Sequence, residues 1–273
     1  MIDQKDQKVK IETWETEKHL YIMPDDAEAF LAALAALQDY WKWTAKRFTR
    51  VDIHIYFKNK LLKFLLPAFS ADTVTSVTVV DDLFNRDYDH VVEFDGKVAY
   101  EMGKVTEKHI TQVFGIIVGS EPQKSTPDIT ACLKSNLTHI DILIFPFPAA
   151  KQLFEFLMNN HPELQTTFVG TSTPDWQDAV GAKLVVGLRS GMTYLAAAAG
   201  RGVLEIYPTD VHRNWLSKWS HPLYQMIYAN PEQVSATLAY RSVEILWKKV
   251  KAFELAKTAK PIPLEIEKAA NAQ

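Results

Sequence analysis

The amino-acid sequence predicts an α/β protein built as two parallel-sheet halves. Two observations carry this expectation. Short apolar runs rich in β-branched residues alternate with amphipathic stretches along most of the 273 residues. That rhythm gives parallel strands joined by crossover helices. The loop Ser120–Asp128, polar and proline-containing, then interrupts the alternation, which restarts after it. The expected division is therefore residues 1–125 and 126–273.

The first eighteen residues are dense in charge and read as an arm or an irregular edge strand. His19–Met23 is the first buried strand. Ala27–Tyr40 follows as a helix, because Phe30, Leu31, Leu34 and Leu37 recur at helical spacing and Asp25 or Asp26 can cap its start. Val51–Phe57 is the second strand, Lys60–Phe69 a short helix, Val74–Val80 the third strand and Asp89–Asp95 the fourth. Glu107–Val118 reads as a helix. In the second half, Ile140–Phe145 and Thr166–Gly170 are strands, Ala149–Asn159 a helix and Asp175–Val180 a short one. From Pro231 the chain turns helical, with an apolar stripe of Val234, Leu238, Val243, Leu246, Trp247 and Val250. The tail after Pro261 is polar and alanine-rich.

A hydrophobic content of 47% is enough for a substantial core, and a net charge of −3 argues against nucleic acid as partner. The single cysteine, Cys132, excludes an internal disulfide and fits a reducing, cytoplasmic setting. It reads as a small buried side chain rather than a nucleophile. No apolar run reaches the length of a membrane-spanning helix, and the charged start does not read as a signal peptide. The eight histidines show no metal-binding spacing, and no Asp-x-Asp pair stands near His212 or His221. No cofactor and no metal is expected.

Lys183–Asp210 is the most informative segment. Leu184-Val185-Val186 suits a buried parallel strand. Ser190-Gly191 supplies a turn and a helix cap, Met192–Ala199 forms helix, Gly200 stands where a helix C′ residue would, and Val203–Ile206 resumes as strand. A helix N-terminus just past a strand's carboxyl end is an anion site in open α/β sheets.

Residues 186–200, Val-Gly-Leu-Arg-Ser-Gly-Met-Thr-Tyr-Leu-Ala-Ala-Ala-Ala-Gly, resemble the donor-site segment of bacterial lipopolysaccharide heptosyltransferases, glycosyltransferase family 9. The family pattern there is roughly Gly-x-Asp/Asn-Ser/Thr-Gly-x-x-His-Leu-Ala-Ala-Ala-x-Gly. Glu205–Asp210 is similar to the Phe-Gly-Pro-Thr-Asp/Asn that follows it, with Trp215 and Trp219 placed like the family's tryptophans. Weaker echoes lie at Asp87–Asp95 and at Lys108-His109 followed by Val113-Phe114-Gly115. The chain carries Arg189 and Tyr194 where the family has an acid or amide and a histidine. Phe145-Pro-Phe-Pro148 with Lys151 stands for its second-domain opening. Pro24-Asp25-Asp26 stands for its N-terminal Gly-Asp loop.

The resemblance implies the GT-B architecture, two Rossmann-like domains facing a cleft. An acceptor-side first half and a nucleotide-sugar-side second half would transfer heptose or a related sugar without a metal to a glycan or lipid-linked acceptor. Asp25 and Asp26 are then the candidate catalytic bases. Arg189, Ser190, Gly191, Met192, Tyr194, Thr209, Asp210, Thr171 and Lys151 are the candidate donor contacts. An inverting transfer needs a base at the acceptor hydroxyl and cationic or N–H stabilisation of the leaving diphosphate. Each has an ordinary structural reading as well: Asp25 and Asp26 as helix caps, Arg189 as a solvated turn residue or half of an ion pair across the cleft, Lys151 as solvated, Asp210 as a turn residue, Tyr194 as packing, and the Gly170–Pro174 loop as a helix cap. The alternative to an enzyme is a GT-B-derived protein without catalysis that binds or assembles partners. The Trp41/Trp43 and Trp215/Trp219 pairs read as buried packing, as partner contacts or as platforms for sugars or bases; peripheral membrane contact and a protein partner held through exposed aromatics complete the expectations.

Overall fold

Both sheets are wholly parallel, as the alternation predicts. The computed structural model describes residues 15–45, 49–83, 87–133, 139–170, 175–211, 218 and 221–258. The first sheet holds β1 (Glu15–Met23), β2 (Thr49–Phe57), β3 (Val74–Val79) and β4 (His90–Glu93) in the order β3-β2-β1-β4. The second holds β5 (Ile140–Ile144), β6 (Thr166–Phe168), β7 (Ala182–Leu188), β8 (Gly202–Tyr207) and β9 (Tyr224–Tyr228) in the order β6-β5-β7-β8-β9. The helices are α1 (Ala27–Ala45), α2 (Gly96–Thr106), α3 (Ile110–Val118), α4 (Ala150–Asn160), α5 (Trp176–Gly181), α6 (Gly191–Ala198) and α7 (Ala236–Thr258).

Each strand order reverses once. In the first sheet the reversal lies between β1 and β4, in the second between β5 and β7. Outside the carboxyl ends of such strand pairs the following loops diverge in opposite directions and leave a crevice, which is where open α/β sheets bind ligands. Topology alone therefore nominates two places: the loops Pro24–Asp26 and Phe94–Gly96, and the loops Phe145–Ala149 and Arg189–Ser190.

The helix α1 is buried on nearly every face. Phe30, Leu31, Leu34 and Leu37 meet the first sheet's core, while Ala29, Ala32, Ala33 and Ala36 are also at 0% exposure. The small residues let two further helices approach closely, α3 and α6. One apolar cluster accordingly runs from the first sheet through α1 into Val180, Tyr194, Leu195, Ala198 and Tyr207 of the second half. Phe64 stacks on Trp176 at 3.9 Å between ring centroids, adding a second contact between the halves. Each fully buried Leu or Phe contributes about 1.5–3 kcal/mol.

Differences from the sequence expectation have local causes. The strand β1 starts at Glu15, inside the charged stretch expected to be an arm or an irregular edge strand, and it is an interior strand there, because parallel pairing with β2 satisfies its backbone from Glu15 onward. The helix α2 was not expected. It buries only Ala99 and Gly103 and carries two glycines, and its apolar residues at helical spacing, Val98, Met102 and Val105, stay exposed. It is held by Asp95, whose Oδ1 accepts from the N–H groups of Lys97 and Val98 at 2.8 and 3.1 Å. Nor does helix run from Glu107 to Val118. Glu107 ends α2 in the left-handed region at φ 55°, and His109 caps α3 by accepting from the Thr111 N–H at 3.0 Å. The half-buried strand β9 carries no alternation and was also missed. Cys132 is buried, and burial pushes its thiol up to about 11, which leaves it an inert packing group. Trp41 is fully buried, while Trp43 is 37% exposed. Trp215 and Trp219 lie outside the described residues. Among the described residues, no helix is long and apolar enough to cross a membrane.

Candidate functional site

The crevice of the first sheet is a cleft of about 530 Å³ lined by Pro24, Asp25, Asp26, Lys58, Lys97 and Tyr100 among others. Asp25 and Asp26 follow β1 directly and are exposed. Asp26 caps α1, its Oδ1 accepting from the Ala29 N–H at 2.8 Å and from the Tyr100 hydroxyl at 3.0 Å. Asp25 Oδ1 accepts its neighbour's N–H at 3.0 Å, and its carbonyl is held by Asn59. The two carboxylates thus differ: one is committed to a helix start, the other stands at the rim. Lys58 comes from the end of β2 and pairs with Glu93 at 2.7 Å; Lys97 opens α2. Neither lysine nor Tyr100 was picked out from the sequence. The signal for Lys97 was the Asp95-Gly96-Lys97 cap, which only the fold makes legible.

The crevice of the second sheet lies between the Phe145–Ala149 loop and the start of α6. Ser190 caps α6 in a reciprocal box with Thr193: Thr193 N donates to Ser190 Oγ at 3.4 Å and Ser190 N to Thr193 Oγ1 at 3.1 Å. Gly200 sits at φ 73° after the helix, which is why glycine stands there. Arg189, Ser190, Gly191 and Met192 are all half-buried. Lys151, in the first turn of α4, is exposed, as are Thr209 and Asp210 in the turn after β8, where Tyr228 donates to the Thr209 carbonyl at 3.1 Å. Thr171 lies outside the described residues. Tyr194 is at 0% exposure, packed where the halves meet, with its hydroxyl bonded to the Ser125 carbonyl. It stands as a packing residue there, with no surface turned to a ligand.

The two crevices converge. A Cβ on Gly191 would lie 2.6 Å from the Ala27 Cβ, so only glycine permits this approach of the α6 start to the α1 start. Across the same junction Arg189 forms an ion pair with Glu28, in the first turn of α1. The guanidinium also lies 6.0 Å from the Tyr207 ring centroid. Burial pushes the Glu28 carboxyl up to about 7 against the pull of Lys218 and Arg189, while Glu28 raises Arg189. Glu28 Oε1 and Arg189 Nε are buried and find no hydrogen-bond partner among the described residues. Buried polar atoms of this kind are expected to be met by water or a ligand.

Behind the junction lies a closed ion cluster. Glu205, on β8, and Lys218 are both at 0% exposure and paired. Glu205 also accepts from Thr193 Oγ1 at 2.6 Å and from the Tyr224 hydroxyl at 2.8 Å, and Lys218 Nζ lies 5.0 Å over the Tyr194 ring. The cluster fixes the first turn of α6. Glu28, Glu205 and Lys218 were not singled out from the sequence; a first-turn acid and a charge inside a strand are too common to mark a site alone.

No family model matches the chain, and no curated protein matches it by sequence. Solved structures do match its fold. The iron-containing dodecameric glycosyltransferase TibC of enterotoxigenic E. coli superposes with a TM-score of 0.63 at 8% identity, over 86% of this chain and 77% of TibC. The E. coli heptosyltransferase WaaC, solved with ADP, gives 0.58 at 14% identity, over 86% and 99% of the two chains. A family 9 glycosyltransferase from Veillonella parvula gives 0.55 at 8%, over 86% and 98%. This chain has the GT-B fold. The resemblance read from residues 186–210 and the architecture therefore agree, and the GT-B arrangement places the two crevices opposite one another.

Proposed function

We propose that the protein is an inverting glycosyltransferase that moves heptose or a related sugar from a nucleotide-sugar donor to a glycan or lipid-linked acceptor, with no metal in the transfer step. The observation that carries this reading is the meeting of the two switch-point crevices at one junction, Glu28 with Arg189 and Ala27 with Gly191. It puts carboxylates beside a cationic helix start, the pair of groups that the chemistry requires. WaaC was solved with ADP and with ADP-2-deoxy-2-fluoro heptose, which favours a nucleotide-sugar enzyme over a catalytically inactive binding protein.

In this reading Asp25 takes the proton of the acceptor hydroxyl, since Asp26 is committed to the cap and to Tyr100. The acceptor oxygen attacks the anomeric carbon from the face opposite the diphosphate. The anomeric C–O bond breaks, and the electron pair leaves with the diphosphate. Arg189 and the N–H groups at the start of α6 meet that charge, helped by the helix dipole. Arg189 exchanges Glu28 for phosphate, and Glu28, which burial already pushes up to about 7, then takes a proton more readily, with Lys218 still favouring its charged form. Lys151, Thr209 and Asp210, exposed after strands of the second sheet, are the further candidate contacts for the donor's sugar and ribose.

The test is calorimetric titration with ADP, UDP and GDP, followed by turnover of ADP-heptose. The expected result is binding of one diphosphate. Arg189→Ala weakens it about tenfold or more. Asp25→Asn leaves binding unchanged and slows transfer by about 10²–10⁴-fold. Absence of binding by all three nucleotides at millimolar concentration overturns the proposal.

A further inference from the structure

We propose that Glu17, His19 and His90 form a divalent-metal site of zinc type at the amino edge of the first sheet, separate from the transfer site. The parallel register of β1 and β4 sets His19 directly beside His90, and Glu17, two residues before His19, shares its face of the sheet. Three potential ligands thus come from two adjacent strands, with all three ligand atoms within 4.8 Å of one another.

The distances suit coordination. Tetrahedral zinc with bonds of about 2.0–2.1 Å to nitrogen and oxygen holds neighbouring ligand atoms about 3.3 Å apart. Glu17 Oε2 and His90 Nε2 are 3.4 Å apart, and Glu17 Oε2 and His19 Nε2 are 2.8 Å apart. The second pair has only to open by roughly half an ångström to admit the ion. The outer shell is also in place: His19 Nδ1 lies 2.8 Å from the Tyr21 hydroxyl. A hydroxyl both donates and accepts. It therefore serves the tautomer that donates from Nε2 to Glu17 and equally the tautomer that turns the Nε2 lone pair to a metal, the arrangement metal-ligating histidines use.

Access and rigidity fit as well. The side chains of His19, Glu17 and His90 are 2%, 33% and 54% exposed, so the set is anchored at one ligand and open at another. They border a cleft of about 350 Å³ that leaves room for a fourth, exogenous ligand. Two nitrogens and one carboxylate with an open position is the donor set of zinc sites that hold a water. From His19 to Asp25 the extended chain covers about 20 Å, so the ion takes no part in sugar transfer. It pins, at one end, the same β1–β4 pair that diverges into the crevice at the other.

The experiment is titration of the whole chain, stripped by a chelator, with Zn²⁺ alone, read by calorimetry and thermal melting, and with Co²⁺ read by its visible absorption. The expected result is one equivalent bound, a higher melting temperature and the intense bands of tetrahedral cobalt. His90→Ala, at an exposed position, weakens Zn²⁺ by roughly 100-fold and removes the bands. Tyr21→Phe, which keeps the core volume and removes only the outer hydroxyl, weakens it by about tenfold. His161→Ala, which alters a different histidine near Glu163 and Glu244, leaves binding as in the wild type. Failure to bind one equivalent, or equal binding by wild type, His90→Ala and Glu17→Gln, overturns the proposal.

Discussion

The carboxyl edges of the two sheets are built differently. On the second sheet, the residues after the strands are tied into the protein: Ser190 into the α6 cap, Arg189 into Glu28, Tyr194 into Ser125, with Glu205 and Lys218 closed behind them. On the first, Asp25, Lys58 and Lys97 stand around an open cleft. The segment with the strongest sequence pattern is thus the one most occupied with holding the halves together, and the segment with the weaker pattern presents exposed polar groups around a cleft. A recurring motif records a backbone geometry as much as a set of ligand contacts. Here the small residues of residues 186–200 also serve to bring α6 onto α1.

That contrast can be broken by substitution. The largest effect is expected at Glu205→Ala, which strips Lys218 of its partner at zero exposure. It should cost about 3–5 kcal/mol in chemical denaturation. A cost under about 1 kcal/mol would show that the cluster does not hold the second edge.

Arg189→Ala should cost less, about 2–3 kcal/mol near pH 8, because the guanidinium is 25% exposed. Its cost should also depend on pH. The Glu28 carboxyl is raised from 4.5 to about 7, so the folded protein holds that proton more tightly than the unfolded chain. Stability from this group is therefore full below about 4.5 and is lost as pH rises through 7. Removing Arg189 steepens the loss, so the penalty should shrink toward pH 5, whereas Glu28→Gln should flatten the profile. Equal penalties at pH 5 and pH 8, from denaturation midpoints, would contradict the assignment.

Gly191→Val should cost about 1–3 kcal/mol by overpacking against Ala27, and should weaken the contact of α1 with α6. Unchanged melting would mean that the approach is not tight. The smallest effect is expected at the open edge, where Asp25→Asn should shift stability by no more than about 0.5 kcal/mol while abolishing most transfer. A large destabilisation would place Asp25 with the structural residues instead.

Much of the fold was legible because its signals are local. Strand runs such as Leu184–Val186 and the 3.6-residue spacing of Phe30, Leu34 and Leu37 report burial directly. Ser190 and Gly200 mark the two ends of α6 through capping and a left-handed turn. The helix α2 was not legible because it buries almost nothing, and β9 because an edge strand of five residues carries no alternation. Of the site, Asp25, Asp26 and the Arg189–Met192 turn could be proposed from position after strands. Lys58, Lys97 and Tyr100 could not, since they join the cleft from three separate elements.

The sequence by itself determined the α/β alternation, the starts of α1, α5 and α6 and the likeness of residues 186–210 to a sugar-transfer motif, because each depends on neighbours a few residues apart. The tertiary structure alone decided the partners of the charges. Glu28 and Arg189 lie 161 positions apart in the chain, and His19 meets His90 only because β4 pairs beside β1. Contacts of that separation leave no periodic trace, since the closing of the chain, and not its local preference, brings the groups within reach.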